Sequence, residues 1–286
     1  MDRRPAFRPQ APDLAVHRLR AGRWSEVQDR VAAEEPLQIL LDGEPLSVVM
    51  RTPGADVELT LGLLHAEGVL ARLEDVRFAR ISAETAEDEP AGGLEVRGEL
   101  LASNAVDVVR ERPGPRPVQR SFVVSSACGV CGAVTVDELA AEWPPVAAGP
   151  TMPFSILGSL PARLREAQRL FERTGGLHAA GLFDASGSLL LAREDIGRHN
   201  AVDKIVGRLF LHRALPAADR LLVVSGRAGF EIVQKAVAAG LPIVVAVGAP
   251  SSLAVATARR FGVTLVGFTR PDAANVYAGS ERVLGA

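Results

Sequence analysis

Only two cysteines occur in the chain, and both fall in the run Cys128-Gly129-Val130-Cys131-Gly132. Two thiols so close can share a proton, a disulfide, a metal ion or a sulfur atom. Structural zinc needs four ligands, commonly two cysteine pairs or two cysteines with two neighbouring histidines. Here there is one pair, and the nearest histidine along the chain is His178, so zinc is disfavoured. A thioredoxin-like pair sits where a strand runs into a helix, whose N-terminus lowers the thiol pKa. Gly132-Ala133-Val134-Thr135-Val136 reads instead as strand. The glycine-flanked pair therefore reads as a mobile loop, suited to a thiol that visits two partners. Such a thiol can accept sulfur as R–S–SH and pass on the outer atom. A second thiol nearby can help by exchange, or can discharge the persulfide as a disulfide.

A second group of candidates lies at strand-to-helix junctions of the C-terminal half. Ser225-Gly226-Arg227 precedes Glu231, Gly248-Ala249-Pro250-Ser251-Ser252 precedes a helix, and Phe268-Thr269-Arg270-Pro271-Asp272 follows a strand. In open α/β sheets ligands bind beyond such strand ends, and free helix N–H groups favour anions. None is a P-loop or G-x-G-x-x-G fingerprint, so ordinary turns remain an equal reading. The run Arg193-Glu194-Asp195-Ile196-Gly197-Arg198-His199-Asn200 is denser in functional groups. Glu194 and Asp195 suit the positive end of the helix that follows. His199 can bind an anion or act as an acid/base group. Asp203 and Lys204 read as a solvated helix face. His178 reads as a hydrogen-bonded structural residue in preference to a metal ligand, and His17, His65 and His212 carry no functional claim.

These residues need elements to hold them. Residues 1–22 read as a flexible Arg/Pro-rich arm. Leu37–Leu41, Asp42-Gly43 and Leu46–Met50 read as a hairpin about an Asp-Gly turn. Asp56–Glu67 reads as a helix stopped by Gly68. Short strands are expected over 76–82, 94–98 and 122–124, the last delivering the chain to the cysteine loop. Beyond the breakers from Trp143 to Pro153, Ser155–Arg173 reads as one helix. A hairpin over 181–192 follows. Helices at 200–213, 230–239 and 252–261 then alternate with strands at 221–224, 243–247 and 264–268. Unbroken Val/Leu/Ile strands between helices predict a largely parallel α/β sheet covered on both faces. The expected plan is the arm, an α+β part over 23–150 with the Cys128/Cys131 loop, and a layered α/β domain over 151–286.

Composition narrows the partners. The chain has 286 residues, 48% of them apolar, enough for a sizeable core. A net charge of −2 offers no bulk attraction for nucleic acid or a membrane surface. No apolar run approaches the ~18 residues of a membrane span. Arg3 and Arg4 lead into no apolar stretch, so no export signal and a cytoplasmic location are expected. In that compartment a close cysteine pair is catalytic or metal-binding rather than a staple.

The ordered motifs resemble the FdhD family, the formate dehydrogenase accessory sulfurtransferases. They comprise the C-G-V-C-G loop, Thr52-Pro53-Gly54 with Asp56, Glu58-Leu59, Gly62 and Glu67-Gly68, and Glu194 to Lys204. They continue through Ser225-Gly226-Arg227, Glu231, Gln234-Lys235 and Leu265-Val266-Gly267-Phe268 to Tyr277, in order over roughly residues 35–280. The resemblance implies a cytidine-deaminase-like C-terminal half, a homodimer, and sulfur taken as a persulfide from a cysteine desulfurase. It implies delivery to the molybdenum (or tungsten) bis-molybdopterin guanine dinucleotide cofactor that formate dehydrogenase requires. Cys128 would carry the sulfur with Cys131 as its partner. The guanine nucleotide would lie against Phe268, Thr269, Arg270, Pro271, Asp272 and Ala273. Arg198, His199, Arg227 and Arg270 are candidates for its pyrophosphate or pterin. Where relatives can carry Gly-Arg this chain has Asp272-Ala273, so a phosphate contact there is lost or supplied by Arg270. Zinc deaminases need H-x-E and P-C-x-x-C. Ala180 stands where the glutamate would follow His178, and no cysteine follows Cys131, so neither deamination nor a tightly bound metal is expected. The rival readings are a thiol–disulfide oxidoreductase and a non-catalytic chaperone that binds the cofactor.

Overall fold

The computed structural model describes residues 9–81, 96–97, 104–112, 123–124 and 143–285. Cys128 and Cys131 lie outside them. Ala21 and Gly22 both take positive φ, 49° and 73°, and close a two-stranded ribbon of β1 (Asp13–Arg20) and β2 (Arg23–Arg30). Strand structure thus begins inside the segment expected to be an arm.

The Asp42-Gly43 turn joins β3 (Glu35–Leu41) to β4 (Glu44–Arg51) as its residue types dictate, with φ of 55° and 82°. These strands sit in a six-stranded sheet with β5 (Val76–Ile81), β6 (Val96–Arg97), β7 (Ala105–Arg110) and β8 (Val123–Val124), in the order β6-β5-β7-β3-β4-β8. β8 runs parallel to β4, Val123 beside Val48 and Val124 beside Val49. Leu37, Ile39, Val106 and Val108 point into a core shared with α1 (Asp56–Ala66). Every residue of α1 is buried. Its leucines fall on several sides, as suits a helix covered all round.

Past β9 (Met152–Pro153), the helix expected over 155–173 is two: α2 (Phe154–Ala167) and α3 (Arg169–Thr174). Gln168, at φ −82° and ψ 71°, interrupts it. The Glu194 carboxylate accepts from Leu170 N (2.8 Å) and Phe171 N (2.7 Å) and so caps the new start. The partner lies far along the chain, beyond the reach of local propensity.

The second sheet contains β10 (His178–Asp184), β11 (Leu189–Asp195), β12 (Arg220–Val224), β13 (Ile243–Ala246), β14 (Thr264–Gly267) and β15 (Asn275–Ala278), in the order β11-β10-β12-β13-β14-β15. Only β12–β13 and β13–β14 are parallel, so the sheet is mixed rather than largely parallel. The link from β14 to β15 is too short for a parallel crossover, which takes about a dozen residues. Alternation sends Leu222, Val224, Val244 and Leu265 toward α4 (Arg198–Leu211), α5 (Phe230–Ala238) and α6 (Ser252–Phe261). Leu221, Val223, Ile243, Val245 and Val266 face α2. β16 (Val283–Leu284) returns beside β9.

α1 and α4 join the two sheets through glycines. A Cβ on Gly62 would lie 1.9 Å from Asp203 O, and one on Gly207 would lie 1.7 Å from Glu58 O. Only glycine allows this main-chain contact.

Candidate functional site

The polar run after β11 first serves structure. Asp195 is fully buried, and its Oδ1 accepts from Gly197 N (2.8 Å) and Asn200 Nδ2 (2.9 Å). Its Oδ2 accepts from Thr52 N (3.2 Å) and Lys204 Nζ (2.8 Å). Lys204 also donates to Thr52 O at 3.0 Å, and Asn200 to Met50 O at 2.8 Å. One carboxylate therefore fastens the end of β4 to the start of α4. Asp203 and Lys204, expected on a solvated face, are each 2% exposed. Asp203 pairs with Lys235 at 2.7 Å, and burial pushes its carboxyl up to about 7 against the pull of that lysine. Their partners come from other elements, so helical periodicity alone could not reveal them.

A cleft of about 710 Å³ opens at the carboxyl ends of β12, β13 and β14, the usual ligand position in open α/β sheets. Ser225, Val247, Thr269, Arg270 and Pro271 line one side, Gly158, Arg165, Gln168 and Phe171 the other, and His178 stands between. Main-chain bonds lace the sheet side together. Gly248 N donates to Gly226 O (3.0 Å), Phe268 N to Gly248 O (3.1 Å) and Thr269 N to Ala246 O (3.2 Å). Thr269 is fully buried, yet its hydroxyl has no hydrogen-bond partner among the described residues. Phe268 is 47% exposed and holds a positive φ of 53°. A bulky residue there costs about 1–2 kcal/mol, and its aromatic face is open at the loop tip. Arg270 Nη1 donates to Val247 O (3.1 Å) and Thr269 O (2.7 Å). Asp272 and Ala273 form the exposed turn behind, closed by Arg270 N to Ala273 O at 2.7 Å.

Positive charge gathers at one end. Burial and the charge of Arg198, then that of Arg227, hold the His178 imidazole below its ordinary range, with Asp195 opposing. The Arg198 Nε is buried without a partner among the described residues. His199 Nδ1 lies 3.2 Å from Glu231 Oε2. Burial, then the charges of Lys235 and Arg198, bring His199 down to about 3. A neutral ring beside a carboxylate donates its Nδ1–H and keeps Nε2 as an acceptor. Arg198, Arg227 and Arg270 keep the permanent charge here, on planar forks of the kind that suit phosphate.

Of the residues singled out in the sequence, Thr269, Arg270 and Pro271 line the cleft and Phe268 continues the same loop. Arg198 and Arg227 act on its His178 wall, while His199 faces Glu231. Cys128 and Cys131 fall outside the described residues. Sequence reasoning missed His178 and Gln168. His178 had a signal, since it opens a strand after Gly175-Gly176; Gln168 had none, lying inside an apparently regular helix.

Fold and cleft together define a mixed α/β protein with an arginine-flanked cleft at its strand ends. The chain belongs to the FdhD/NarQ family, whose pattern it matches over residues 32–284. It is 47% identical over 279 residues to the sulfur carrier protein FdhD of Streptomyces coelicolor, covering 94% of each chain. It is 44% identical over 261 residues to that of Mycobacterium tuberculosis, covering 89% of this chain and 92% of the other. The crystal structure of a formate dehydrogenase accessory protein from Desulfotalea psychrophila superposes with a TM-score of 0.73 at 26% identity, over 96% of this chain and all of that one. Among the described residues no helix is long and apolar enough to cross a membrane.

Proposed function

We propose that this protein is a sulfur carrier that accepts persulfide sulfur on Cys128 from a cysteine desulfurase. It passes that sulfur to the bis-molybdopterin guanine dinucleotide cofactor of molybdenum or tungsten, which formate dehydrogenase needs. The reading draws on relatives named as sulfur carriers and on one geometric observation. β8 runs parallel to β4, β4 ends at Arg51, and the next residue, Thr52, meets Asp195 at the end of β11. β11 and β12 are both antiparallel to β10, so β12 ends on the same side, where Ser225 lines the cleft. Cys128 follows Val124 by four residues, a reach of at most about 14 Å. Val124, the last described residue before the cysteine run, thus ends a strand whose direction is toward the cleft end of the molecule.

In the first transfer the Cys128 thiolate attacks the outer sulfur of the donor persulfide. The donor S–S bond breaks as the new one forms, and the donor leaves as a thiolate. On delivery the S–S bond at Cys128 breaks and the outer atom becomes the sulfido ligand. The metal supplies the two electrons, and Cys128 returns as a thiolate. Cys131 assists by exchange or protects the carrier. Thr269, Arg270 and Pro271 hold the nucleotide with Phe268 beside them, while Arg198 and Arg227 take the phosphates. The carrier works in the cytoplasm as a homodimer, with the desulfurase and formate dehydrogenase as partners and no metal of its own.

Intact-protein mass spectrometry after incubation with a desulfurase and cysteine tests this. A sulfur-sized adduct is expected on the wild type and Cys131→Ala, and none on Cys128→Ala. Repeated absence of any adduct would sink the carrier. Formate dehydrogenase activated by the double Cys→Ala variant would favour a cofactor chaperone, and equal loss in both single variants a dithiol oxidoreductase.

A further inference from the structure

β1 and β2 form a sheet of their own and pair with no other strand among the described residues. A lone two-stranded ribbon is marginal in water, and its outer edges offer main-chain N–H and C=O groups for pairing. The base of the ribbon is fastened at the cleft end of the molecule. Gln10 Nε2 donates to Pro53 O (2.6 Å) and Thr52 Oγ1 to Ala33 O (3.0 Å). A Cβ on Gly176, in the cleft lining, would lie 3.8 Å from the Ala32 Cβ. Each strand has eight residues, so the tip stands up to about 26 Å from that base. At the tip Leu19 pairs with Trp24 on one face, and they are 55% and 69% exposed. On the other face Arg20 lies directly opposite Arg23, and like charges so placed repel. The stem cations are paired, Arg18 with Asp29 at 3.5 Å and Arg30 with Asp13 at 2.8 Å. Arg20 and Arg23 have no such partner among the described residues.

We propose that this tip is the docking point for the protein that donates sulfur. A tip apolar on one face and cationic on the other fits a partner with an apolar hollow and an acidic rim. Trp and Arg are the residue types that most often dominate binding at protein interfaces. Carboxylates on the partner would also relieve the repulsion between Arg20 and Arg23. Asp13, Glu26 and Asp29 on the stem confine the excess positive charge to the tip. That suits a local protein contact rather than a long anionic polymer or a membrane surface. The inference rests on the sulfur-carrier reading. In that transfer the acceptor is a small molecule, whereas the donor sulfur is fixed to another protein. The donor is therefore the partner that needs a docking surface at the cleft end.

Biolayer interferometry of the full chain against a purified cysteine desulfurase tests it. Trp24→Ser is expected to weaken binding about thirtyfold, the loss of an interface anchor. Arg20→Glu sets opposite charges across the ribbon and so keeps it paired, yet is expected to slow association about tenfold at low salt. A merely structural role for Arg20 would leave association unchanged or faster. Loading of Cys128 by inorganic polysulfide, which needs no docked protein, should stay at the wild-type level in both variants. Desulfurase binding unchanged in both variants would overturn the docking point, as would a wild type that binds no desulfurase. A fall in polysulfide loading that matches the fall in binding would do the same, since it marks a general defect. Phosphatidylserine vesicles bound through the tip in place of the desulfurase would make it a membrane contact instead. The carrier reading fails separately. Tip-dependent desulfurase binding with no sulfur adduct on Cys128 keeps the docking point and removes the carrier, and an adduct with tip-independent binding does the reverse.

Discussion

Replacing Asp195 with asparagine should unfasten β4 from α4. The carboxylate accepts four donors, two on each oxygen, and it is fully buried. Asparagine has one oxygen. Turned toward Gly197 N and Asn200 Nδ2, it sets its own NH₂ against Lys204 Nζ and Thr52 N, donor against donors. Lys204, 2% exposed, loses its counter-ion and keeps Thr52 O at 3.0 Å. Removing one member of a buried pair costs about 3–5 kcal/mol, and Asp195→Asn is expected in that range. Lys204→Met should cost less, about 2–3 kcal/mol, because Asp195 retains three N–H donors. The double variant leaves neither charge stranded and should fall short of the sum by about 2 kcal/mol. Urea unfolding followed by circular dichroism, with an unchanged slope, measures each value. An Asp195→Asn cost under about 1 kcal/mol, or additivity within about 0.5 kcal/mol, would refute the coupling.

Gly62→Ala and Gly207→Ala should each destabilise by about 3 kcal/mol or more, because main chain rather than a flexible side chain must move. In a chain this size that lowers Tm by roughly 6–12 °C, whereas Gly229→Ala, with nothing within 4 Å, should be near neutral. His199 has a folded pKa of about 3 against an ordinary 6.5, so its contribution is complete above 6.5 and is lost as pH falls toward 3. Asp203, raised from 3.8 to about 7, acts oppositely, its contribution present below 3.8 and lost as pH rises through 7. Comparing wild type with His199→Gln cancels that opposing slope. The wild-type advantage should shrink by about 3 kcal/mol between pH 7 and pH 4, and parallel stability curves would show that His199 is not held neutral.

Local chemistry made much of the fold legible. The Asp-Gly hairpin, the existence of a helix after Gly54 and the alternating strands and helices from Gly181 to Gly267 follow from turn residues and apolar runs, while the burial of that helix on every side does not. Where the reading failed, a distant partner had intervened. The split at Gln168 follows from Glu194, and the mixed direction of the second sheet from the β14–β15 return. The burial of Asp203 and Lys204 follows from Lys235 and Asp195. At the site, the strand-end loops were legible because small and polar residues interrupt apolar runs. The wall opposite was not, because a glutamine in a helix carries no local mark of the cavity it will face.

The sequence by itself determined the chemistry available: one cysteine pair without metal partners, an ordered set of family motifs, and loops able to take an anion. Residue type and spacing suffice for that, since thiol reactivity, turn geometry and periodicity are local. Only the tertiary structure decided which polar residues hold the fold and which face the cleft. Asp195, Asp203 and Lys204 read like site residues or surface charge, and became internal fastenings once α1 crossed α4 at Gly62 and Gly207. Gln168 and His178 read like helix and strand, and came to line a cavity. Burial and pairing depend on residues far apart in the chain, so that division could be settled only where the chain brings them together.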